Sequence, residues 1–421
     1  MGTQPDTTKN PQIWKRRRFI PAVSAAVAAA ALIWGAAAIR GHYPIVDEKA
    51  HLAQTEMFRH GDFRLYVKEG ERYPRNAMFP GFHLILAGLL KAIGADGLDA
   101  ARLACLLFAA LIPLAAFLAA GAASDGTMAA FKAGQVFFLP CLFPFLFLVY
   151  TDAAGLLALL LALWATMRKK DLAAGLFALL AVFIRHNNVV FAAFLPALRL
   201  MDEFGWNFVA IPARNVAKRV WPYAIAIAAV ATFVIVNGGP ALDDPTSHIP
   251  RPNLTNALFA LFCYGALFAP LILSRRKKIS EWVSARPKTA ACALLAVAVT
   301  AMTVSPTHRW NQMPWLLHNE ILNWAFRDYY TRLVLAVVAA IAALSLAAEL
   351  DTGNGRLLLF FSFLSLLPVQ LVEPRYYIVP FAFATILRTP STPKAEAVQT
   401  ALFAALAIAA HLYHLNTPCV I

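Results

Sequence analysis

The sequence predicts an all-α polytopic membrane protein, and three observations carry that prediction. Of 421 residues, 60% are hydrophobic and only 14% are charged, a balance that one soluble core cannot accommodate. Apolar runs of about 17 to 25 residues recur along the chain, the length that carries a helix across a bilayer. The runs are continuous in Leu, Ala and Phe, whereas a transmembrane barrel strand alternates apolar and polar residues, so a barrel is excluded.

The elements follow in order. Residues 1–18 are expected in the cytoplasm, because Lys15, Arg16, Arg17 and Arg18 precede an apolar run from Phe19 to Ile39. That run resembles a signal sequence without a small-residue cleavage site and is read as a retained first span. The rest, 19–421, is read as one transmembrane domain with outer loops at about 40–100, 238–255 and 305–332. Within the first loop, the apolar stretch from Phe79 to Gly94 is short, opens on Pro80-Gly81 and contains His83 and Lys91. It is expected to lie in the interface rather than to cross. The stretch from Leu172 to Leu200 is too long for one span and is broken by Arg185-His186-Asn187-Asn188, so two helices are expected to meet there. Spans are then predicted at 19–39, 101–122, 127–149, 153–168, 172–184, 188–200, 221–237, 256–273, 289–304, 333–349, 356–372, 375–388 and 399–415. This scheme places the basic clusters at Lys15 to Arg18, Arg168 to Lys170, Arg214 to Arg219 and Arg275 to Lys278 on the cytoplasmic side, as the positive-inside rule requires.

The excess of 37 Lys and Arg over 23 Asp and Glu is thereby read as topology, with membrane lipids rather than nucleic acid as the expected surroundings. Five cysteines (Cys105, Cys141, Cys263, Cys292, Cys419) show no C-x-x-C spacing and are read as small buried hydrophobes.

The same scheme gathers the remaining polar motifs on the extracytoplasmic face. Asp47 and Glu48 stand in the frame D-E-x-x-H-x-x-Q with His51 and Gln54. Carboxylates beside a hydrocarbon slab are costly unless they do chemistry, and one of them can take the proton of a hydroxyl that attacks a sugar carbon. Asp47 is the first candidate and Glu48 the second. The alternative is a solvated loop in which Asp47 caps an interfacial helix through His51 and Phe58. Tyr150-Thr151-Asp152 opens another helix, and Asp152 can cap it, bind a sugar hydroxyl, or both. Arg185 and Arg375 offer planar forks suited to a phosphate. For Arg375 an ion pair with Glu373 is the competing role; Arg185 has no acid beside it in sequence. Asp244 and His248 lie in a Gly- and Pro-rich outer turn, a weak metal-ligand set better suited to sugar hydroxyls. Trp310, Trp315 and Trp324, with Phe326, Tyr329 and Tyr330, read as an interfacial aromatic belt before a sugar platform.

Together these residues resemble the dolichyl-phosphate-glucose-dependent α-1,2-glucosyltransferases, which add the terminal glucose to the lipid-linked oligosaccharide of N-glycosylation. The matching motifs run in order: D-E-x-x-H-x-x-Q at Asp47 to Gln54, Gly61 with Phe63, Pro80-Gly81-Phe82, Tyr150-Thr151-Asp152, Arg185 with Asn188 and Val189, N-G-G with Asp244 and His248, and E-P-R-Y-Y-I-V-P from Glu373 through Tyr376 to Pro380. The family's Asp-Asn-Arg-His-Tyr block is replaced here by H-R-W-N-Q-M-P-W-L-L-H-N-E, which bears on acceptor recognition. The resemblance implies a GT-C-like multi-span glycosyltransferase that inverts the anomeric centre. Its donor would be a lipid-phosphate sugar, glucose in the first instance, and its acceptor a glycan or lipid-linked oligosaccharide. No cofactor is implied; a divalent metal could assist the phosphate, but no ligand cluster calls for one. Another sugar, such as mannose or arabinose, and a lipid or solute transporter are the rival readings, although no inverted internal repeat is visible. The chain length, Ala-rich spans and lack of an evident retrieval signal suit a bacterial plasma membrane over the endoplasmic reticulum.

Overall fold

The computed structural model describes residues 11–64, 78–206, 211–237, 250–312 and 319–417. Among them every regular element is helical. The first half comprises α1 (Pro11–Ile39), α2 (Glu48–Arg59), α3 (Gly81–Ile93), α4 (Gly97–Ala120), α5 (Gly126–Phe137), α6 (Thr151–Met167), α7 (Asp171–Ile184), α8 (Val189–Phe204) and α9 (Ala213–Asn237). The second comprises α10 (Leu254–Leu267), α11 (Ala269–Ser274), α12 (Arg276–Ala285), α13 (Pro287–Thr303), α14 (Glu320–Ala325), α15 (Tyr329–Glu349), α16 (Gly353–Leu366), α17 (Ile378–Leu387) and α18 (Pro393–Asn416).

Five of these carry segments long and apolar enough to cross a bilayer: Ile20–Ile39 in α1, Gly97–Ala120, Ala213–Val236, Tyr329–Glu349 and Pro393–Asn416. A sixth crossing forms if α12 and α13, bent by 107°, act together. Shorter apolar helices, α3, α6, α7, α10 and α16, pack among them. α6 is buried along nearly its whole length, so it is the inner post of the bundle, and its neighbours α4 and α7 cover it. The chain is therefore an integral, multi-span, all-helical membrane protein.

Two expected spans are interrupted. The segment expected to run from 127 to 149 stops as a helix at Phe137 and continues through Pro140 and a 3₁₀ turn at Phe143–Leu146. Proline removes a helix donor and clashes with the preceding turn. The irregular backbone from Leu142 to Tyr150 is wholly buried, the setting in which non-helical chain survives at membrane depth. Likewise 256–273 is divided at Phe268, just before Pro270, into α10 and α11. By contrast a separate short helix α3 opening at Gly81 and a break at Arg185 to Asn188 lie where the sequence places them.

Close helix approaches hold the end of the bundle that carries α3 together. A Cβ on Gly81, at the start of α3, would stand 2.5 Å from the carbonyl oxygen of Phe183 near the end of α7, so only glycine brings those two ends into contact. At the opposite end a buried ionic cluster fixes α17. Arg388 bonds Glu396 at 2.6 Å and Gln135 at 2.7 Å, and Lys132 donates to the carbonyls of Ile386 and Arg388 at 2.8 and 2.7 Å.

Candidate active site

The site is assembled from three chain breaks: the loop into α2, the buried irregular run into α6, and the segment between α16 and α17. At the first, Glu48 is fully buried and accepts four hydrogen bonds. They come from Arg102 Nε at 3.0 Å and Nη2 at 2.6 Å, from the Ile45 N–H at 2.8 Å and from the Val149 N–H at 2.9 Å. That fills the carboxylate's lone-pair sites. Arg102 continues the anchor by donating to the carbonyls of Ile39, His42 and Tyr43 at 3.1, 2.9 and 3.2 Å. These bonds hold Val46 at φ 42°, a left-handed conformation that a β-branched residue adopts only under constraint.

Asp47, next along, behaves differently. It occupies the N-cap position of α2, but its side chain makes no capping bond, so the capping role weighed from the sequence is absent. Its N–H donates to the Tyr150 hydroxyl at 3.0 Å, and its Oδ2 faces Arg375 Nη2 at 3.3 Å. With its side chain 47% exposed, Asp47 is the member of the carboxylate pair that a ligand can reach.

The second break supplies Tyr150 and Asp152. The buried run through Pro140 and Pro144 delivers the Tyr150 hydroxyl between the Asp47 N–H and the Ile45 carbonyl, to which it donates at 3.3 Å. Asp152 lies in the first turn of α6 but does not cap it. Its Oδ1 accepts from Arg185 Nη1. Its Oδ2 is buried with no hydrogen-bond partner among the described residues. Arg185 is thus paired with an acid 33 residues earlier, which sequence adjacency could not reveal. Asn188 donates to the Ala181 carbonyl at 2.9 Å, ending α7; it lines the site while doing structural work.

At the third break Arg375 pairs with Glu373 as well as with Asp47, and its guanidinium lies 5.4 Å from the Tyr150 ring centroid. Arg185 lies 6.0 Å from the Tyr376 ring. Burial pushes the Glu373 carboxyl above its usual range, against the pull of Arg375. His51 is buried, with Nδ1 2.9 Å from His83 Nε2. Burial first, then the charges of Arg375 and Arg185, lower its pKa to about 3, so the ring is neutral at physiological pH.

Three asparagines that sequence reading passed over clamp the segment leading to Glu373. Asn253 donates to the Gln370 carbonyl at 2.9 Å, and Asn256 to those of Val369 and Leu371 at 2.7 Å each. Asn311 bonds both backbone groups of Val372, donating at 2.7 Å and accepting at 2.9 Å. Arg102 and His83 were also missed as partners. The available signal was a polar side chain inside or beside an apolar run, which names a residue without naming its mate. Asp244, His248, Trp315 and Cys419 lie outside the described residues.

Asp152, Arg185, Asn188, Ser365, Arg375 and Tyr376 border a small cleft of about 50 Å³. One turn further along the α16–α17 seam is an apolar groove of about 140 Å³, lined by Leu261, Leu358, Phe363, Leu366 and Phe381. Among the described residues no group of three or more His, Cys, Asp or Glu side chains is placed to hold a metal ion.

Fold and site together define a helical membrane protein whose charged cleft is built from loops at one end of the bundle. The chain matches the model of the DIE2/ALG10 family over residues 41–386. It belongs to that family, the dolichyl-phosphate-glucose α-1,2-glucosyltransferases, and is a membrane glycosyltransferase. No curated protein matches it. Among solved structures it is similar to ArnT from Cupriavidus metallidurans in the apo state, with 15% sequence identity and a TM-score of 0.46 over 94% of this chain and 77% of that one.

Proposed function

We propose that the protein transfers a hexose, glucose in the first instance, from a polyprenyl or dolichyl phosphate to a hydroxyl of a glycan or lipid-linked oligosaccharide. The observation that carries this reading is the contact between Asp47 and Arg375, residues 328 positions apart, within a family of lipid-phosphate-sugar transferases. The reaction would take place at the extracytoplasmic face of a bacterial plasma membrane, in a GT-C-like arrangement.

In this mechanism the donor phosphate lies between Arg185 and Arg375, each of which retains guanidinium N–H groups beyond its carboxylate contacts. A phosphate on Arg375 competes with Asp47 for that guanidinium and leaves Asp47 available as the base. Asp47 then takes the proton of the acceptor hydroxyl as its oxygen attacks the anomeric carbon. The bond from that carbon to the phosphate oxygen breaks, and its electron pair leaves with the lipid phosphate. The two arginines stabilise the additional charge that develops there. Asp152 Oδ2 and Glu373 are placed to accept from sugar hydroxyls, with Tyr150, Tyr376, His51 and Asn188 shaping the walls. Glu48 holds Asp47 in place through Arg102. The apolar groove along α16 and α17 suits the lipid tail. Asp244 and His248 retain their proposed part in binding sugar hydroxyls.

The test is a product assay with the purified protein, a panel of lipid-phosphate sugars and glycan acceptors. Glucose transfer from the lipid phosphate should be seen, and Asp47→Asn should lower it by about 10²-fold or more without loss of fold. Use of a nucleotide sugar in place of the lipid donor, or full activity in Asp47→Asn, would overturn the reading.

A further inference from the structure

Away from the transfer site, the end of α1 and the start of α4 border a cavity of about 450 Å³ that the chemistry above leaves unused. Ala36 and Ala37 of α1, Leu103 and Leu106 of α4, and Phe147 give it an apolar lining. Arg40 and Asp99 line it too, each one helical turn from that lining along its own helix, the spacing that keeps side chains on one face. Arg40 follows the last residue of the span Ile20–Ile39, and Asp99 stands in the first turn of the span Gly97–Ala120. Both charges therefore lie at headgroup depth, with the apolar lining toward the hydrocarbon.

These opposite charges share a cavity without pairing with each other. Arg40 is exposed and has no hydrogen-bond or ion-pair partner among the described residues. Asp99 is half exposed; its Oδ1 accepts from the Gly41 N–H at 3.3 Å and lies 3.8 Å from Arg102 Nη1, while its Oδ2 has no partner among the described residues. Arg102 also lines the cavity, but its guanidinium is spent on Glu48 and on the carbonyls of Ile39, His42 and Tyr43. What remains for a ligand is one guanidinium and one carboxylate oxygen above an apolar trough, the complement of an amphiphile whose headgroup carries a phosphate and a primary ammonium. A lipid diphosphate or a singly anionic phospholipid would satisfy Arg40 but set its own charge against Asp99. A quaternary ammonium has no N–H to give Asp99. We propose that this cavity binds phosphatidylethanolamine: the lipid phosphate accepts from Arg40, its ammonium donates to Asp99 Oδ2, and one acyl chain lies along Leu103 and Leu106.

Lipid retention tests this apart from sugar transfer. Full-length protein in detergent is offered equimolar phosphatidylethanolamine, phosphatidylcholine and phosphatidylglycerol with matched acyl chains, and bound lipid is counted by native mass spectrometry. Phosphatidylethanolamine should be retained about five- to tenfold over either competitor. Asp99→Asn keeps an acceptor for the Gly41 N–H but loses the charge, and should erase the preference over phosphatidylcholine. Arg40→Gln should lower retention of phosphatidylethanolamine about fivefold. Ala37 is exposed, so Ala37→Leu should narrow the trough and lower that retention with the melting temperature unchanged. Equal retention of the three lipids, a preference for phosphatidylglycerol, or an undiminished preference in Asp99→Asn would overturn the proposal. If a charge variant loses its fold, Ala37→Leu decides, and full retention of phosphatidylethanolamine there overturns the proposal as well.

Discussion

At the residue scale, adjacent carboxylates have been given different work by their surroundings. Glu48 is enclosed by Arg102 and two backbone donors, while Asp47 is half exposed and faces Arg375. Removing one member of a buried ion pair strands the other charge, so Arg102→Ala should destabilise the protein by about 3–5 kcal/mol, read as a lowered melting temperature. It should also abolish transfer by releasing the backbone at Val46. The neighbouring His51 makes a pH-dependent contribution whose sign is fixed by its lowered pKa. Between the ordinary value of 6.5 and about 3 the unfolded chain binds a proton that the folded protein excludes, so stability falls as pH falls through that window. Melting temperatures at pH 7 and pH 4.5 should therefore differ less in His51→Phe than in the parent protein. An equal or larger difference in the variant would contradict the buried, neutral histidine.

At the scale of elements, the site depends on chain that is not helical. The run from Leu142 to Tyr150, the turn at Arg185 to Asn188 and the segment from Pro368 to Glu373 carry Tyr150, Arg185, Asn188 and Glu373, and each is held by side chains from elsewhere. Asn311 is the plainest case, because one amide satisfies both the N–H and the C=O of Val372. Asn311→Ala leaves two buried backbone groups without partners, at about 1–3 kcal/mol each, and loosens the segment that aims Glu373 and Arg375. Its expected signature is a lower melting temperature with a larger loss of kcat than of donor affinity. Unimpaired turnover in a destabilised Asn311→Ala would show that the segment holds its shape without the clamp.

At the scale of the whole molecule, the reading requires the Asp47 loop and the basic clusters to lie on opposite faces of the membrane. Tyr43, 91% exposed, precedes Asp47 by four residues, and Lys277 is exposed on α12. In a cysteine-free background, Tyr43→Cys should react with an impermeant maleimide in intact cells, and Lys277→Cys only after the membrane is opened. The reverse pattern would place the cleft on the cytoplasmic side. Transfer should also persist in a chelator, because two guanidiniums supply the positive charge at the phosphate; loss of activity restored by magnesium would add a metal to the mechanism.

The sequence by itself determined the class, since hydrocarbon tolerates only segments that satisfy their own backbone, and those segments are legible as long apolar runs. It also determined the broken helix at Arg185, the separate short helix α3 and most of the cleft's charged residues, because a charge or a proline in an apolar chain is conspicuous. Only the tertiary structure decided which charge meets which: Arg102 with Glu48, Arg185 with Asp152, Arg375 with both Glu373 and Asp47. It also decided that the expected spans at 127–149 and 256–273 are divided. Spacing along a chain carries information about neighbours one or two turns away. Partners tens or hundreds of residues apart are set by how helices pack, and that packing separates Glu48, the anchored acid, from Asp47, the accessible one.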